Sequence, residues 1–289
     1  MFAIRKGARV GLRTERRQLC ALAEAAELHV RQANYRKAET LLRRAMAIAR
    51  NRFGPEDPLV ATLMNNLAVV HKYQGRFAEA SRLYRIILSL LERALGHDHP
   101  DLATVYHNLG GLEHARSRPD QGEPFARRSV AIRERALGPN HPDVAADLAA
   151  LAAILDGQSK FDEAERLYRR ALAIFKSVYG QEHYEVAVSL NNLAALNQAR
   201  GDLVTAERLY RRTLALKEKL LGPSHPDTAI TVNNLAVLCN AQGRRAQAAK
   251  LYRRALGILE RALGKRHPNV TVCRNNYELV LEQTRQIGH

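Results

Sequence analysis

The sequence contains no tryptophan, and aromatic residues make up only 6% of it. Alanine, leucine, arginine and glutamate dominate instead, a mixture that favours helix over sheet. Its three cysteines, Cys20, Cys239 and Cys273, form no CxxC pair and no disulfide-like spacing. All three fall in helical patterns, where small buried thiols are common. Isolated thiols of this kind predict a reducing, cytoplasmic location.

Long apolar runs are also missing. The longest, VAADLAALAAIL at 144–155, is interrupted by Asp147 and is well short of the roughly 20 apolar residues that span a membrane. The first residues are rich in arginine and have no apolar segment of the kind found in a secretory signal. We therefore expect no membrane contact, and we predict a basic, disordered lead over residues 1–16.

Sequence motifs of catalysis are absent as well. There is no Walker loop, GxGxxG, HExxH or GxSxG motif, and no pair of side chains suited to act as nucleophile and base. We therefore predict that the chain is not an enzyme and takes no cofactor.

What the sequence does contain is a repeat of 42 residues. Glycines recur at this spacing without an insertion, at Gly54, Gly96, Gly138, Gly180, Gly222 and Gly264. A proline follows four residues after most of them, with Tyr184 in its place once. Such a glycine suits the left-handed end of a helix, and proline suits the first turn of the next. Amphipathic stretches such as VATLMNNLAVVHKYQ and AERLYRRALAIFKSVYG lie between these signals.

This periodicity predicts six helix–turn–helix hairpins over residues 17–268, followed by a capping helix and tail over 269–289. Small residues recur at one position of each first helix, as at Ala68 and Ala194, and of each second helix, as at Ala80 and Ala206. No single hairpin can bury its apolar side alone, so stability must come from stacking on neighbours. Pro119 and Pro124 predict a distorted hairpin in the third repeat.

Five histidines recur just before the proline positions, at His99, His141, His183, His225 and His267. Each belongs to a different repeat, so neighbours should lie a helix-packing distance or more apart. Zinc ligands must all lie about 2.1 Å from one ion. We therefore predict a structural role for these histidines and no metal site.

The segments NNLA, LYRRAL and LGPxHPD together resemble tetratricopeptide repeats of the kinesin-light-chain type, over residues 17–284. The resemblance implies an all-α, right-handed superhelical solenoid. It also implies that the first helices line a concave groove, that the second helices form the convex back, and that the groove binds peptides with acidic residues.

By the family's pattern, one side of each first helix faces the groove. The polar candidates for peptide binding are Asn65, Lys72, His107, His114, Asn191, Gln198, Asn233, Asn240 and Asn275. Each of these asparagines but Asn240 is the first of an adjacent pair, and an amide both donates to and accepts from a peptide backbone. The second of each pair lies about 100° away on the helix and is expected to bond within or between repeats. Alternatively, both asparagines are part of the scaffold.

The groove pattern and the charge together indicate the partner. Repeat four has Ala149 and Ala150 in place of the asparagine pair, which predicts an apolar pocket for a bulky side chain. The net charge of +16 attracts acidic partners. We therefore predict a non-catalytic scaffold that holds an extended, partly acidic peptide segment of a partner protein.

Arginine pairs recur on the second helices. In four of the pairs the first arginine follows a glutamate by four residues, as Arg43 follows Glu39, which predicts an ion pair along the helix. The second, at Arg170, Arg212 and Arg254, has no such partner and is expected to be free, either as a solvated surface or as a second binding surface. The alternatives are therefore RNA or DNA binding by the convex face, or a regulatory arm of an enzyme complex. The apolar segment from Tyr277 to Leu281 leaves self-association at the C-terminal end open.

Overall fold

The computed structural model describes the backbone of residues 2–287 and the side chains of residues 14–284. Over this part the chain forms thirteen α-helices and no strand. In chain order they are α1 (Phe2–Arg31), α2 (Tyr35–Phe53), α3 (Pro58–Tyr73), α4 (Phe77–Leu95), α5 (Pro100–Ala115), α6 (Pro119–Leu137), α7 (Pro142–Asp156), α8 (Phe161–Tyr179), α9 (Tyr184–Arg200), α10 (Leu203–Leu221), α11 (Pro226–Ala241), α12 (Arg245–Leu263) and α13 (Pro268–Ile287).

The predicted alternation of first and second helices is confirmed. Odd-numbered helices up to α11 are the first helices of six hairpins, even-numbered helices are the second, and α13 follows without a partner of its own. Gly54 ends α2 with φ +89° and donates its N–H to the Arg50 carbonyl at 3.1 Å. Gly222 ends α10 in the same way, also with φ +89°. A side chain at either position would be strained, which accounts for the glycine period.

The N-terminal helix is longer than expected. It begins at Phe2, whereas the sequence predicts a disordered lead over residues 1–16. The side chains of residues 1–13 lie outside the described part of the structure, so the boundaries of the three predicted segments stay predictions.

The third hairpin is not interrupted by its prolines. Pro119 occupies the first position of α6, and the helix is continuous for 19 residues, as long as α8. Ser117, with φ +58°, takes the left-handed turn position that Gly75, Gly201 and Gly243 hold in other hairpins, as Ala33 and Ser159 also do. A Cβ atom on Gly122 would lie 2.8 Å from the Gly110 carbonyl oxygen, so α5 and α6 approach closely only because residue 122 is glycine.

The chain forms two compact units, residues 1–132 and residues 133–289. In the first unit Leu42, Leu67 and Tyr84 are buried together with small residues at the predicted positions, Ala38 and Ala80. The second unit has an equivalent core. Its members include Tyr210, Leu235 and Tyr252, packed with Ala206 and Ala248. Within each unit, large side chains therefore fill the spaces between alanines at which the helices approach.

One ion pair interrupts the apolar interior of the second unit. Arg133 Nε lies 2.8 Å from Asp147 Oδ2, and these side chains are 17% and 2% exposed. Arg133 also lies 3.4 Å from the carboxylate of Asp143, which is much more exposed. The equivalent positions one repeat earlier, Leu91 and Val105, are apolar.

The recurring histidines cap helices. Nδ1 of His225 accepts the backbone N–H of Asp227 at 3.1 Å, and the four other histidines of the series make the same contact with the residue two positions on. At the start of α3 the carboxylate of Asp57 does the same for Leu59 at 2.9 Å. A side-chain acceptor at this position satisfies a backbone N–H that has no partner within the helix.

None of the described helices is both long enough and apolar enough to cross a membrane.

Candidate functional site

In the first unit α3 contacts both α1 and α5. We call the side of these helices that carries Asn65 and Lys72 the first-helix face of the first unit. A hollow of about 230 Å³ between α1 and α3 is lined by Val30, Asn66 and Val69, among others. A second hollow, of about 240 Å³, lies between α3 and α5 and has Asn65 in its wall. Both are large enough to take a side chain.

Asn65 is shared between this face and the scaffold. Its Oδ1 accepts a hydrogen bond from Asn108 Nδ2 at 2.8 Å, and its own Nδ2 lies 3.4 Å from Asn66 Oδ1. Asn108 follows Asn66 by one repeat but has a histidine before it, so a search for adjacent asparagines misses it. Asn108 therefore ties the second repeat to the third, the role expected of the second asparagine.

Lys72 is the unpaired cation of this face. Its ammonium lies 5.7 Å from the centre of the Tyr73 ring, which stacks on Tyr35, and it has no acidic partner among the described side chains. Burial lowers the pKa of the Lys72 side chain. A Cβ atom at Gly111 would lie 3.6 Å from Nζ, so the ammonium lies against α5 at this glycine.

The two histidines predicted for this face both lie on α5, where His107 is half-buried and His114 is exposed.

In the second unit α9 contacts α11. We call the side of these helices that carries Gln198, Asn233 and Asn240 the first-helix face of the second unit. Gln198 lines a hollow of about 380 Å³, with Tyr210 and Asn234 also in its wall. This places one predicted site residue at a cavity that a partner side chain can enter.

The asparagines of this unit divide into two groups. Asn191 Oδ1 accepts from Asn234 Nδ2 at 3.3 Å, which repeats the contact between Asn65 and Asn108. The Oδ1 atoms of Asn233 and Asn240, by contrast, are buried and have no hydrogen-bond donor among the described residues. Asn275, on α13, is exposed. Asn233 and Asn240 therefore each keep a side-chain oxygen that the scaffold leaves unbonded, and the amide must turn for a ligand to reach it.

The apolar pocket expected at Ala149 and Ala150 of the fourth repeat stays a prediction. Ala149 and Ala153 on α7 are both half-buried, and neither adds a polar group to that helix.

Two of the three arginines expected to be free on the second helices are paired, which corrects that expectation. Arg170 lies 2.6 Å from Glu134 and donates to the Pro139 carbonyl at 3.0 Å. Arg254 pairs with Glu218 at 2.5 Å. In both cases the acid precedes the arginine by 36 residues. At that spacing from Arg212 the residue is Lys176, and Arg212 has no partner among the described side chains.

The first arginines form the predicted pairs, and the glutamates also bind the following repeat. Glu39 binds Arg43 at 2.9 Å, Arg76 at 3.0 Å and Gln74 at 3.1 Å. We call this group the glutamate cluster. Burial raises the pKa of Glu39, but hydrogen bonds from Gln74, Arg43 and Arg76 outweigh this effect and lower it to about 2. Glu207 forms the equivalent cluster in the second unit, and its pKa is also lowered to about 2.

The end of α13 keeps part of the apolar surface noted in the sequence. Val280 is buried, whereas Leu279 is 51% exposed. Self-association there stays a prediction.

The hairpin order and the stacking of each unit define a helical-repeat protein. The family model for the tetratricopeptide repeat matches residues 17–85, 75–121, 101–177 and 185–261. The chain therefore belongs to the tetratricopeptide-repeat family, which confirms the resemblance drawn from its repeated segments.

Similar solved structures include proteins of the kinesin-light-chain type. BtubC (BKLC) from P. vanneervenii is 25% identical, with a TM-score of 0.60 over 88% of this chain and 94% of that one. A putative kinesin light chain of Podosopora anserina, with nearly identical TPR-like repeats, is 24% identical, with a TM-score of 0.58 over 70% of this chain and 96% of that one.

The fold is also shared with a signal-transduction ATPase from Pyrococcus horikoshii that has a tetratricopeptide-repeat sensor. Identity is 14% and the TM-score is 0.62, over 93% of this chain and 40% of the ATPase. None of the curated proteins matches the sequence.

Proposed function

We propose that this protein is a non-catalytic scaffold whose first-helix faces bind an extended, partly acidic peptide segment of a partner protein. The observation that carries the proposal is that polar groups without partners lie on these faces. They are the ammonium of Lys72 in the first unit and the Oδ1 atoms of Asn233 and Asn240 in the second. A buried polar group without a partner costs free energy that a ligand can recover.

Each group has a distinct role in the proposal. Lys72 attracts an acidic side chain, because the ammonium has no internal counter-ion and its charged form is disfavoured by burial. Asn233 and Asn240 lie seven residues apart on α11, hence on one side of the helix, and each accepts a backbone N–H of the peptide. The hollows beside Asn65 and Gln198 receive peptide side chains.

The comparisons agree with this class of function. The similar structure from P. anserina is named a putative kinesin light chain, and family members of this fold act as protein-interaction scaffolds. We infer further that the protein works in the cytoplasm, because all three of its cysteines are unpaired.

The test is a peptide-array screen at about 150 mM salt, the ionic strength at which weak surface charge effects are largely screened. Peptides that bind are then measured against Lys72→Met and Asn233→Ala/Asn240→Ala. These changes remove the charge or the amides and leave the bonds between Asn65 and Asn108, and between Asn191 and Asn234, in place. Arg212→Gln, on a second helix, is the matched control.

The expected result is that Lys72→Met weakens acidic peptides more than their amide analogues, and that the double variant weakens all of them. Helical circular dichroism and the Arg212→Gln control should be unchanged. If binding survives both changes but falls for Arg212→Gln, the peptide lies on the second helices and the proposal is wrong.

Nucleic-acid binding by the second helices is the less supported alternative, since Arg170 and Arg254 are held by internal acids. A steep fall of affinity with salt in an oligonucleotide titration would restore it.

A further inference from the structure

The glutamate cluster shows what the arginines of the second helices bind. In the first unit the Glu39 carboxylate lies between the guanidinium groups of Arg43 and Arg76 and also accepts from the Gln74 amide. In the second unit Glu207 is held by the equivalent residues of its own repeat pair. This constellation is therefore an oxyanion site that the chain fills with its own glutamate.

The second repeat contains the same site without the glutamate. Ser81 stands at the position of Glu39, and Arg85 and Arg118 stand at those of Arg43 and Arg76. Neither arginine has an acidic partner among the described side chains. Arg116, at the position of Gln74, turns instead to Glu113 at 2.9 Å. The second repeat therefore has the two arginines of this site but no glutamate between them.

A hollow of about 550 Å³ on α4 includes Ser81, Arg85 and Arg116 of this site, whereas Arg118 is not in its lining. Its polar lining consists of Ser81, Arg82, Arg85, Ser89, Arg93 and Arg116, a group that we call the arginine hollow. Arg116 is paired with Glu113, and Arg93 lies 3.9 Å from Glu56. Arg82 and Arg85 have no acidic partner among the described residues, so two positive charges are uncompensated.

We propose that the arginine hollow binds the phosphate of a phosphorylated side chain on a partner protein. A phosphate monoester carries a charge of about −1.5 to −2 at neutral pH, which matches the two uncompensated arginines better than a carboxylate does. Guanidinium groups bind phosphate oxygens in pairs of hydrogen bonds. The hydroxyl of Ser89 adds a donor, and the residues at its position in the other repeats are alanine or glycine.

This site is separate from the proposed peptide site. Its residues lie mainly on α4, a second helix, whereas Asn65 and Lys72 lie on α3, a first helix. The sixth repeat also lacks the glutamate, with Ala249 in its place, but there Arg253 donates to the Tyr277 hydroxyl at 3.2 Å. The second repeat is therefore the better candidate for an external anion.

The experiment uses the full chain and N-acetyl-O-phosphoserine N-methylamide, titrated by calorimetry or by NMR shifts of arginine Nε–H groups. Ser81→Glu is the central variant, because it restores the residue that fills the equivalent site at Glu39 and should leave the fold intact. Arg212→Gln is the control for loss of an unpaired arginine elsewhere. The N-acetylglutamate analogue, inorganic phosphate and a single-stranded oligonucleotide are tested alongside.

The expected result is saturable binding of the phosphoserine probe that falls by about tenfold or more in Ser81→Glu and in Arg85→Gln. Ser81→Glu places an internal carboxylate beside the arginines, and Arg85→Gln removes a charged hydrogen bond. Arg212→Gln should bind as the wild type does, and inorganic phosphate should compete. Equal binding to Ser81→Glu would overturn the proposal. So would equal affinity for the glutamate analogue, or an oligonucleotide that binds more tightly than the probe and displaces it.

Discussion

The ion pair between Arg133 and Asp147 allows a sharp test of how the second unit tolerates charge in its interior. The perturbation is a cycle of Arg133→Leu, Asp147→Val and the double variant. The replacements copy Leu91 and Val105, which hold the equivalent positions one repeat earlier and lie in the apolar core of the first unit. The double variant therefore tests whether the leucine and valine of the preceding repeat can replace the ion pair.

The two single changes should differ in cost. Arg133→Leu leaves the Asp147 carboxylate, only 2% exposed, without its cation, and should destabilise by about 3–5 kcal/mol. Asp147→Val leaves Arg133 17% exposed and 3.4 Å from Asp143, so its cost should be smaller, about 1–3 kcal/mol. The double variant should fall within about 1 kcal/mol of the wild type or exceed it, because apolar residues often replace buried ion pairs without loss.

The assay is urea unfolding followed by circular dichroism at neutral pH. Arg127→Leu, on the same helix, is the control: Arg127 is 45% exposed and pairs with Glu123, so its change should cost less than about 1 kcal/mol. Additive single effects, or a double variant as unstable as Arg133→Leu, would refute the reasoning. Additive effects would mean that the two side chains are not coupled. An unstable double variant would mean that the site requires charge.

Three further outcomes are expected. Glu207→Gln should remove stability that the wild type has above pH 4.5, the carboxyl's usual pKa, and that it loses as pH falls towards 2. The free energies of unfolding of the two proteins should therefore converge at low pH, and a constant difference between them would contradict this. Gly122→Ala should lower the free energy of unfolding by about 1–3 kcal/mol, because its Cβ would meet an α5 carbonyl. Gly257→Ala on α12 has space for a Cβ and should raise the free energy of unfolding by about 0.5–1 kcal/mol. Equal effects in thermal unfolding would argue against close packing at Gly122. His225→Ala should lower the free energy of unfolding by about 1 kcal/mol through loss of the helix cap, whereas His225→Asp should retain the cap. Urea midpoints measure both changes, and equal losses of stability would mean that the side-chain acceptor does not stabilise the helix.

Much of the fold could be predicted from the sequence because its signals recur in register. The glycine period fixed where the second helices end, and the alanine positions predicted where helices approach, as at Ala38 and Ala80. These depend on local backbone geometry and side-chain size, which are visible in each repeat.

The contacts between repeats were harder to predict. The sequence predicts Arg170 and Arg254 to be free because their acids, Glu134 and Glu218, lie on the preceding second helix rather than four residues away. It also predicts a structural role for the recurring histidines, but the acceptor role of Nδ1 depends on the φ and ψ angles before the helix. A sequence comparison at an offset of 36 residues finds both arginine partners.

The candidate site was predicted unevenly for a related reason. Helical spacing placed Lys72 and Gln198 on the first helices, beside a glycine and a hollow. It did not show that the Oδ1 atoms of Asn65 and Asn191 are occupied by the next repeat, since that depends on the relative rotation of packed helices.

The bonds that tie neighbouring repeats also bear on how this protein responds to force. The contact between Glu39 and Arg76 joins residues 37 apart, and that between Asn65 and Asn108 joins residues 43 apart. Because such ties reach only to the next hairpin, tension applied along the chain within a unit can break them one at a time rather than all together. Each unit should therefore unfold under force in steps of about one repeat. When the force is released, hairpins should refold one at a time onto those that stayed folded.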